Sequence, residues 1–189
     1  MNIRITSIYS IAALFLLSVV NAWADEYQET VDVFNAASES GWFFDNHHGY
    51  AVFPTVGKAG TGIGGAFGKG RVYENGVHIG DTKVTQVTIG LQLGGQAYSM
   101  IIFFQDKRAL DEFTSGNFEF GAQATAVAIT AGASAAATTT GSSVGASGGQ
   151  HDAITSGKYH KGMATFTVAK GGLMYEASIG GQKFSYTAK

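Results

Sequence analysis

The sequence predicts an α+β fold. The expected architecture is a curved, mainly antiparallel sheet, barrel-like or a sandwich, of about seven or more glycine-kinked strands with an N-terminal helix and one short additional helix. Three observations predict it. First, a hydrophobic residue, two glycines and an aromatic recur at Ile63-Gly64-Gly65-Ala66-Phe67, Leu93-Gly94-Gly95-Gln96-Ala97-Tyr98 and Ile179-Gly180-Gly181-Gln182-Lys183-Phe184. Second, each copy stands in strand-like alternation, where paired glycines mark a bulge, a sharp bend or a close backbone approach. Third, only two stretches of the chain carry helical spacing. The last two glycine copies align further, Leu91 to Ser99 against Ala177 to Ser185, as if one strand design were used twice.

The chain opens with Arg4, an apolar run from Ile11 to Val20, and Ala22-Trp23-Ala24. A basic start, a short apolar core and a small-x-small end are the parts of a cleaved secretory signal peptide, and the run is too short to span a bilayer as a helix. Residues 1–24 are therefore expected to be removed, leaving residues 25–189 as one domain in the periplasm or outside the cell.

From Asp25 to about Ser40 the apolar residues Tyr27, Val31, Phe34 and Ala37 recur at spacings of three and four, so a helix is expected with Gly41 just beyond its end. Its acidic first turn suits the helix dipole. After the aromatic cluster Trp42, Phe43 and Phe44, the run Gly49 to Phe53 reads as a strand stopped by Pro54, the only proline. Ile63 to Tyr73 reads as a strand with Ile63, Gly65, Phe67, Lys69, Arg71 and Tyr73 on one face, and an almost bare face of Gly64, Ala66, Gly68, Gly70 and Val72 opposite. Glu74-Asn75-Gly76 is a tight hairpin turn, because Asn-Gly tolerates positive φ angles.

Lys83 to Gly95 alternates as a half-buried strand, Thr85, Val87, Ile89, Leu91 and Leu93 on one side and Gln86, Thr88 and Gln92 on the other. Met100 to Phe104 is apolar on both faces and reads as fully buried. Asp106 can cap a short helix that ends at Ser115-Gly116 and turns Ala109, Leu110 and Phe113 to the core. The stretch from Gly121 is rich in small residues, and Ala135 to Gly149 has no large apolar side chain to anchor it, so a mobile loop is expected there. Met163 to Ala169 and Gly172 to Tyr186 then read as two strands around a Lys170-Gly171-Gly172 turn.

With 12 Lys and Arg against 14 Asp and Glu the formal net charge is −2, too little positive charge for general nucleic-acid binding. The absence of cysteine excludes disulfides, thiolate metal sites, cysteine catalysis and a lipidated N-terminal cysteine. Gly60-Thr61-Gly62-Ile63-Gly64-Gly65 matches a dinucleotide pattern in letters only, since a strand and not a helix follows it. The five histidines lack zinc-site spacing; they read as polar loop residues, although His47-His48 and His151-Asp152 could meet in space. No serine sits in a nucleophile elbow. Neither metal, cofactor nor enzymatic activity is expected.

The most suggestive cluster is Lys69 and Arg71 on one strand face, flanked by Phe67 and Tyr73, with Lys58 in the preceding turn and Lys83 after the hairpin. Basic heads beside aromatic rings suit an anionic lipid interface, and they also suit a solvated strand whose long stems cover apolar neighbours.

The runs Gly49-Tyr50-Ala51-Val52-Phe53, Val56-Gly57-Lys58-Ala59-Gly60, Gly62-Ile63-Gly64-Gly65 and Gly68-Lys69-Gly70 resemble the opening of the SYLF domain, also called the yeast-type actin-binding domain family. Gln92-Leu93-Gly94-Gly95-Gln96, the block Phe103 to Phe113, Phe120-Gly121-Ala122-Gln123-Ala124 and Lys170-Gly171-Gly172-Leu173 resemble later blocks of that family in the same order. The resemblance implies a binding domain. Its eukaryotic members are associated with phosphoinositide and actin binding and its bacterial members with lipid. The basic N-terminal segment tied to lipid binding in the eukaryotic members is replaced here by Asp25, Glu26, Glu29 and Asp32. A non-enzymatic envelope protein that binds anionic phospholipid head groups is expected, through Lys58, Phe67, Lys69, Arg71, Tyr73 and Lys83. The alternative is an adaptor that binds another envelope protein.

Overall fold

The computed structural model describes residues 26–122, 124–129, 158–170 and 178–189, with 61–62 and 88–94 described by their backbone alone. The expected signal peptide, the Ala135 to Gly149 loop, His151-Asp152 and the Lys170-Gly171-Gly172 turn lie outside them wholly or in part. The elements are helix α1 over residues 26–36, α2 (Gly41–Phe44), β1 (Gly49–Glu74), β2 (Val77–Phe104), α3 (Lys107–Thr114), β3 (Phe118–Glu119), β4 (Val127–Ile129), β5 (Met163–Lys170) and β6 (Lys183–Ala188). The class is α+β as expected, in one curled mixed sheet.

Six strands appear among the described residues because segments that read as separate strands run together. Pro54 does not stop β1. It sits at a bulge, where Pro54 and Thr55 together face Ser99 across the ladder, and the Ser99 hydroxyl donates to the Pro54 carbonyl at 2.7 Å. A bulge on a strand paired along only one side leaves proline's missing N–H without consequence. The Asn75-Gly76 turn is as expected, with φ of 49° and 79°.

The β1/β2 hairpin bends sharply between Gly60 and Gly64, where the register slips and a Cβ on Gly60 would lie 2.3 Å from the Gly64 Cα. The bend makes two arms. The first pairs residues 49–58 with 96–104 and is extended by β5 and β4; the second pairs 62–74 with 77–90 and is extended by β6 and β3. The arms fold face to face. The bare face of the second arm is the one that makes this possible: at Gly70 a Cβ would meet the Phe53 ring at 2.6 Å, and at Gly68 it would meet Val56 at 2.8 Å.

Between the arms lies the main core, Phe53, Val56, Met100, Ile102 and Phe104 against Ala66, Val72, Val84 and Phe184, with Leu110 and Phe113 of α3 closing one end. The outer face of the first arm, including Val52, Ile101, Phe103, Phe166 and Val168, forms a second core under Phe34 and Ala37 of the N-terminal helix and Phe43 of α2. The order is thus helices, first arm, second arm. On its far side the second arm faces solvent except near Arg71 and Tyr73, which Tyr27 of the N-terminal helix and Tyr50 cover.

Helix α3 follows expectation: the Asp106 carboxylate accepts from the Ala109 N–H at 2.8 Å, and Gly116 carries φ of 94° beyond its end. The N-terminal helix is shorter than expected. It ends at residue 36 because Ser40 donates to the Phe34 carbonyl and the Gly41 N–H to the Ala37 carbonyl, so Gly41 opens α2 instead of closing α1. The third glycine pair also departs from expectation. Gly180-Gly181 form a turn before β6, not a strand, and Gln182 is drawn inward to donate to the Tyr98 hydroxyl at 2.8 Å.

Candidate ligand-binding face

The uncovered side of the second arm is read directly from its register. Alternation turns Ile63, Gly65, Phe67, Lys69, Arg71 and Tyr73 outward on β1, and Gly65, Phe67, Lys69 and Arg71 stand opposite Val87, Thr85, Lys83 and Asp81 of β2. Val87 faces a glycine, so it projects between the diagonal side chains of Ile63 and Phe67. All three are exposed, at 71%, 51% and 78% for Ile63, Phe67 and Val87. β6 continues the same face with Lys183 beside Thr85 and Ser185 beside Lys83.

Of the two sides of the β2 alternation, the structure buries the one that carries Gln86. Val84, Gln86 and Thr82 are the buried residues, while the side bearing Thr85 and Val87 is exposed. The inward glutamine is tolerated because its amide donates to the Gly180 carbonyl at 2.7 Å.

On this face Lys183 is paired with Glu119 at 3.6 Å, whereas Lys69 and Lys83 have no carboxylate partner among the described residues. Among the described residues Lys58, Lys69 and Lys83 form no ion pair, whereas Lys107, Arg108, Lys170 and Lys183 each lie within 4.0 Å of an Asp or Glu. Lys69 and Lys83 are directly opposite each other, an arrangement in which like charges oppose folding.

The remaining candidates are placed differently. The Arg71 guanidinium lies 4.1 Å from the centre of the Tyr27 ring, so the N-terminal helix covers it with a cation–π contact. Burial raises the pKa of the Tyr27 hydroxyl, and the Arg71 charge pulls it partly back. Tyr73 is engaged in stacking, on Tyr50 at 5.0 Å and beside His78 at 5.4 Å. Lys58 stands across the bend, in an open groove of about 690 Å³ that also reaches Phe67, Lys170 and the backbone of Gly57, Gly65 and Gly95. Phe67 therefore joins the groove to the outer face.

The paired histidines are not simple loop residues. His48 Nε2 meets the Glu74 carboxylate at 2.8 Å, and His47 packs among Phe44, Tyr50 and Phe103 with its Nδ1 buried and unbonded. Burial, and secondarily the His48 charge, lowers the His47 pKa. No cluster of three or more metal-ligating side chains occurs among the described residues.

Sequence reasoning put Ile63 on this face without naming it as a candidate, and missed Val87 as a member of the face. The available signal was Lys83, which shares the side of Thr85 and Val87 and marks that side as the wet one.

A glycine-bent sheet with one helix-covered face and one open apolar and basic face is the build of a binding domain. The family model described as Las17-binding protein actin regulator (Ysc84) matches residues 85–188, and the chain belongs to that family, the one its SYLF-like motifs indicate. No curated protein matches the sequence.

Proposed function

We propose that the protein is a non-enzymatic peripheral protein of the cell envelope that docks on anionic phospholipid head groups through the open face of its second arm. One observation carries the reading: exposed Ile63, Phe67 and Val87 share that face with Lys69 and Lys83, two unpaired lysines held opposite each other. Apolar side chains enter the headgroup boundary and the ammonium groups add attraction to the surface charge, each contributing about 1 kcal/mol. Family membership supports a lipid- or actin-related binding role, and residues 1–24 support export, which an intact mass beginning at Asp25 would establish.

Flotation on vesicles of phosphatidylcholine with phosphatidylglycerol or cardiolipin tests the reading. The Lys69→Glu/Lys83→Glu protein is expected to bind at least roughly tenfold more weakly than wild type while keeping its circular dichroism, and added salt should mimic the change. Equal binding by two folded proteins would overturn the assignment of this face. Failure of the wild type to bind any anionic vesicle would overturn lipid docking and favour the protein-partner reading, which the family's description as a Las17-binding regulator also suggests.

A further inference from the structure

The groove at the bend holds chemistry that the flat outer face lacks. Where β1 turns from one arm to the other, three of the positions that line the groove are glycines, Gly57, Gly65 and Gly95, so backbone rather than side chain forms much of its floor. A Cβ at Gly57 would meet nothing within 4 Å, so close packing of the fold does not require the missing side chain there. Lys58 and Lys170 stand at this groove from different strands, the end of β5 bringing Lys170 to the rim.

A carboxylate already holds one of these two lysines. Lys170 Nζ donates to the Thr55 hydroxyl at 2.7 Å, Thr55 donates to Glu26 Oε1 at 3.2 Å, and that same oxygen lies 3.7 Å from Lys170 Nζ. Glu26 thus holds Lys170 with the acceptor chemistry an anionic ligand would offer. Lys58 has no such partner among the described residues, which leaves one lysine free and one lightly held around the same space.

We propose that this groove is an oxyanion site for the phosphate of a lipid head group, with Lys58 and Lys170 as its cationic residues and Glu26 as an internal competitor. The inference rests on the lipid-docking reading, since Phe67 lines the groove and also belongs to the apolar patch that would seat the protein in the headgroup layer. A phosphate brings more negative charge and more acceptor oxygens than one carboxylate, so it can displace Glu26 from Lys170. Glu26 leads into Tyr27, the residue over Arg71, so the displaced turn would also loosen the cover on a second cation of the open face.

The test uses wild type, Lys58→Ala, Glu26→Gln and Lys69→Glu/Lys83→Glu. Each is assayed on phosphatidylcholine vesicles with and without phosphatidic acid, and by calorimetric titration with inorganic phosphate alone. Lys58→Ala is expected to weaken binding to phosphatidic acid vesicles about fivefold. Glu26→Gln is expected to strengthen it, a gain that no purely structural role of Glu26 would give. Thermal unfolding confirms that each variant is folded. Heat from inorganic phosphate that Lys58→Ala abolishes, with no preference for phosphatidic acid vesicles, would assign the site to a soluble anion and overturn the lipid source. If Lys58→Ala and Glu26→Gln change neither measurement, the groove is not an oxyanion site. Should Lys69→Glu/Lys83→Glu still lose vesicle binding in that case, the docking face stands without the groove.

Discussion

The rings of Tyr50 and Tyr73 stack with centroids 5.0 Å apart and planes 18° from parallel, although the two residues sit near opposite ends of the same strand. His48, two residues before Tyr50, and Glu74, the residue after Tyr73, close the ring with a 2.8 Å contact. β1 is therefore a strand bent until its ends meet. That bend stacks the two arms, buries the glycine face of the second arm and leaves its other face open.

The bend depends on absent side chains. Gly70→Ala should destabilise the domain by about 2 kcal/mol or more, because its Cβ would stand 2.6 Å from the Phe53 ring and 2.8 Å from the Val52 carbonyl. Gly57→Ala, with open space around it, should cost far less or stabilise slightly. Denaturant unfolding of the two variants checks the contrast; equal losses would mean the arms are not in contact at Gly70.

Lys83→Glu should move stability and binding in opposite directions. Replacing one of two opposed lysines by a carboxylate turns a cross-strand repulsion into an attraction worth up to about 1 kcal/mol. Vesicle binding should fall over the same change. Thermal unfolding and flotation on one preparation read both signs.

Acid sensitivity should track His47. Its folded pKa lies below the ordinary 6.5, so as pH falls through that value the unfolded chain takes up a proton that the folded chain refuses, and stability declines. The decline stops once pH is below the lowered folded value, where both states are protonated. His47→Phe should flatten the segment of a plot of stability against pH that lies just below the ordinary histidine pKa of 6.5. An unchanged slope would place the acid response elsewhere.

Alkaline sensitivity has the opposite sign. Burial pushes the hydroxyls of Tyr50, Tyr98 and Tyr159 up to about 12 from 10.0, so between those values the unfolded state loses protons the folded state keeps, and stability falls. Tyr98→Phe should reduce the fall, at the cost of leaving the Gln182 amide without its acceptor. Tyrosinate absorbance recorded alongside unfolding follows the ionisation directly.

Much of this architecture is legible in local chemistry. The Asn75-Gly76 turn, the Asp106 cap and the core side of α3 follow from backbone preferences and helical spacing. What local reading misjudges depends on contacts distant in sequence. Pro54 continues a strand because Ser99 meets it at a bulge, and Gly180-Gly181 turn because Gln182 reaches Tyr98. The binding face shows the same division. Period-two alternation gathers Phe67, Lys69 and Arg71 on one side, but only the folding of one arm on the other makes the glycine side the buried one and places Val87 in solvent. Tyr73 and Arg71 read as free interfacial groups, whereas Tyr50 and Tyr27 occupy them.

The docking face can be measured at one atom, because the chain has no native cysteine. An environment-sensitive fluorophore on Val87→Cys should shift to the blue on phosphatidylglycerol vesicles and return in high salt. The same probe on Val33→Cys, also exposed but on the N-terminal helix, should not shift. A shift at Val33 with none at Val87 would contradict docking through the open face of the second arm.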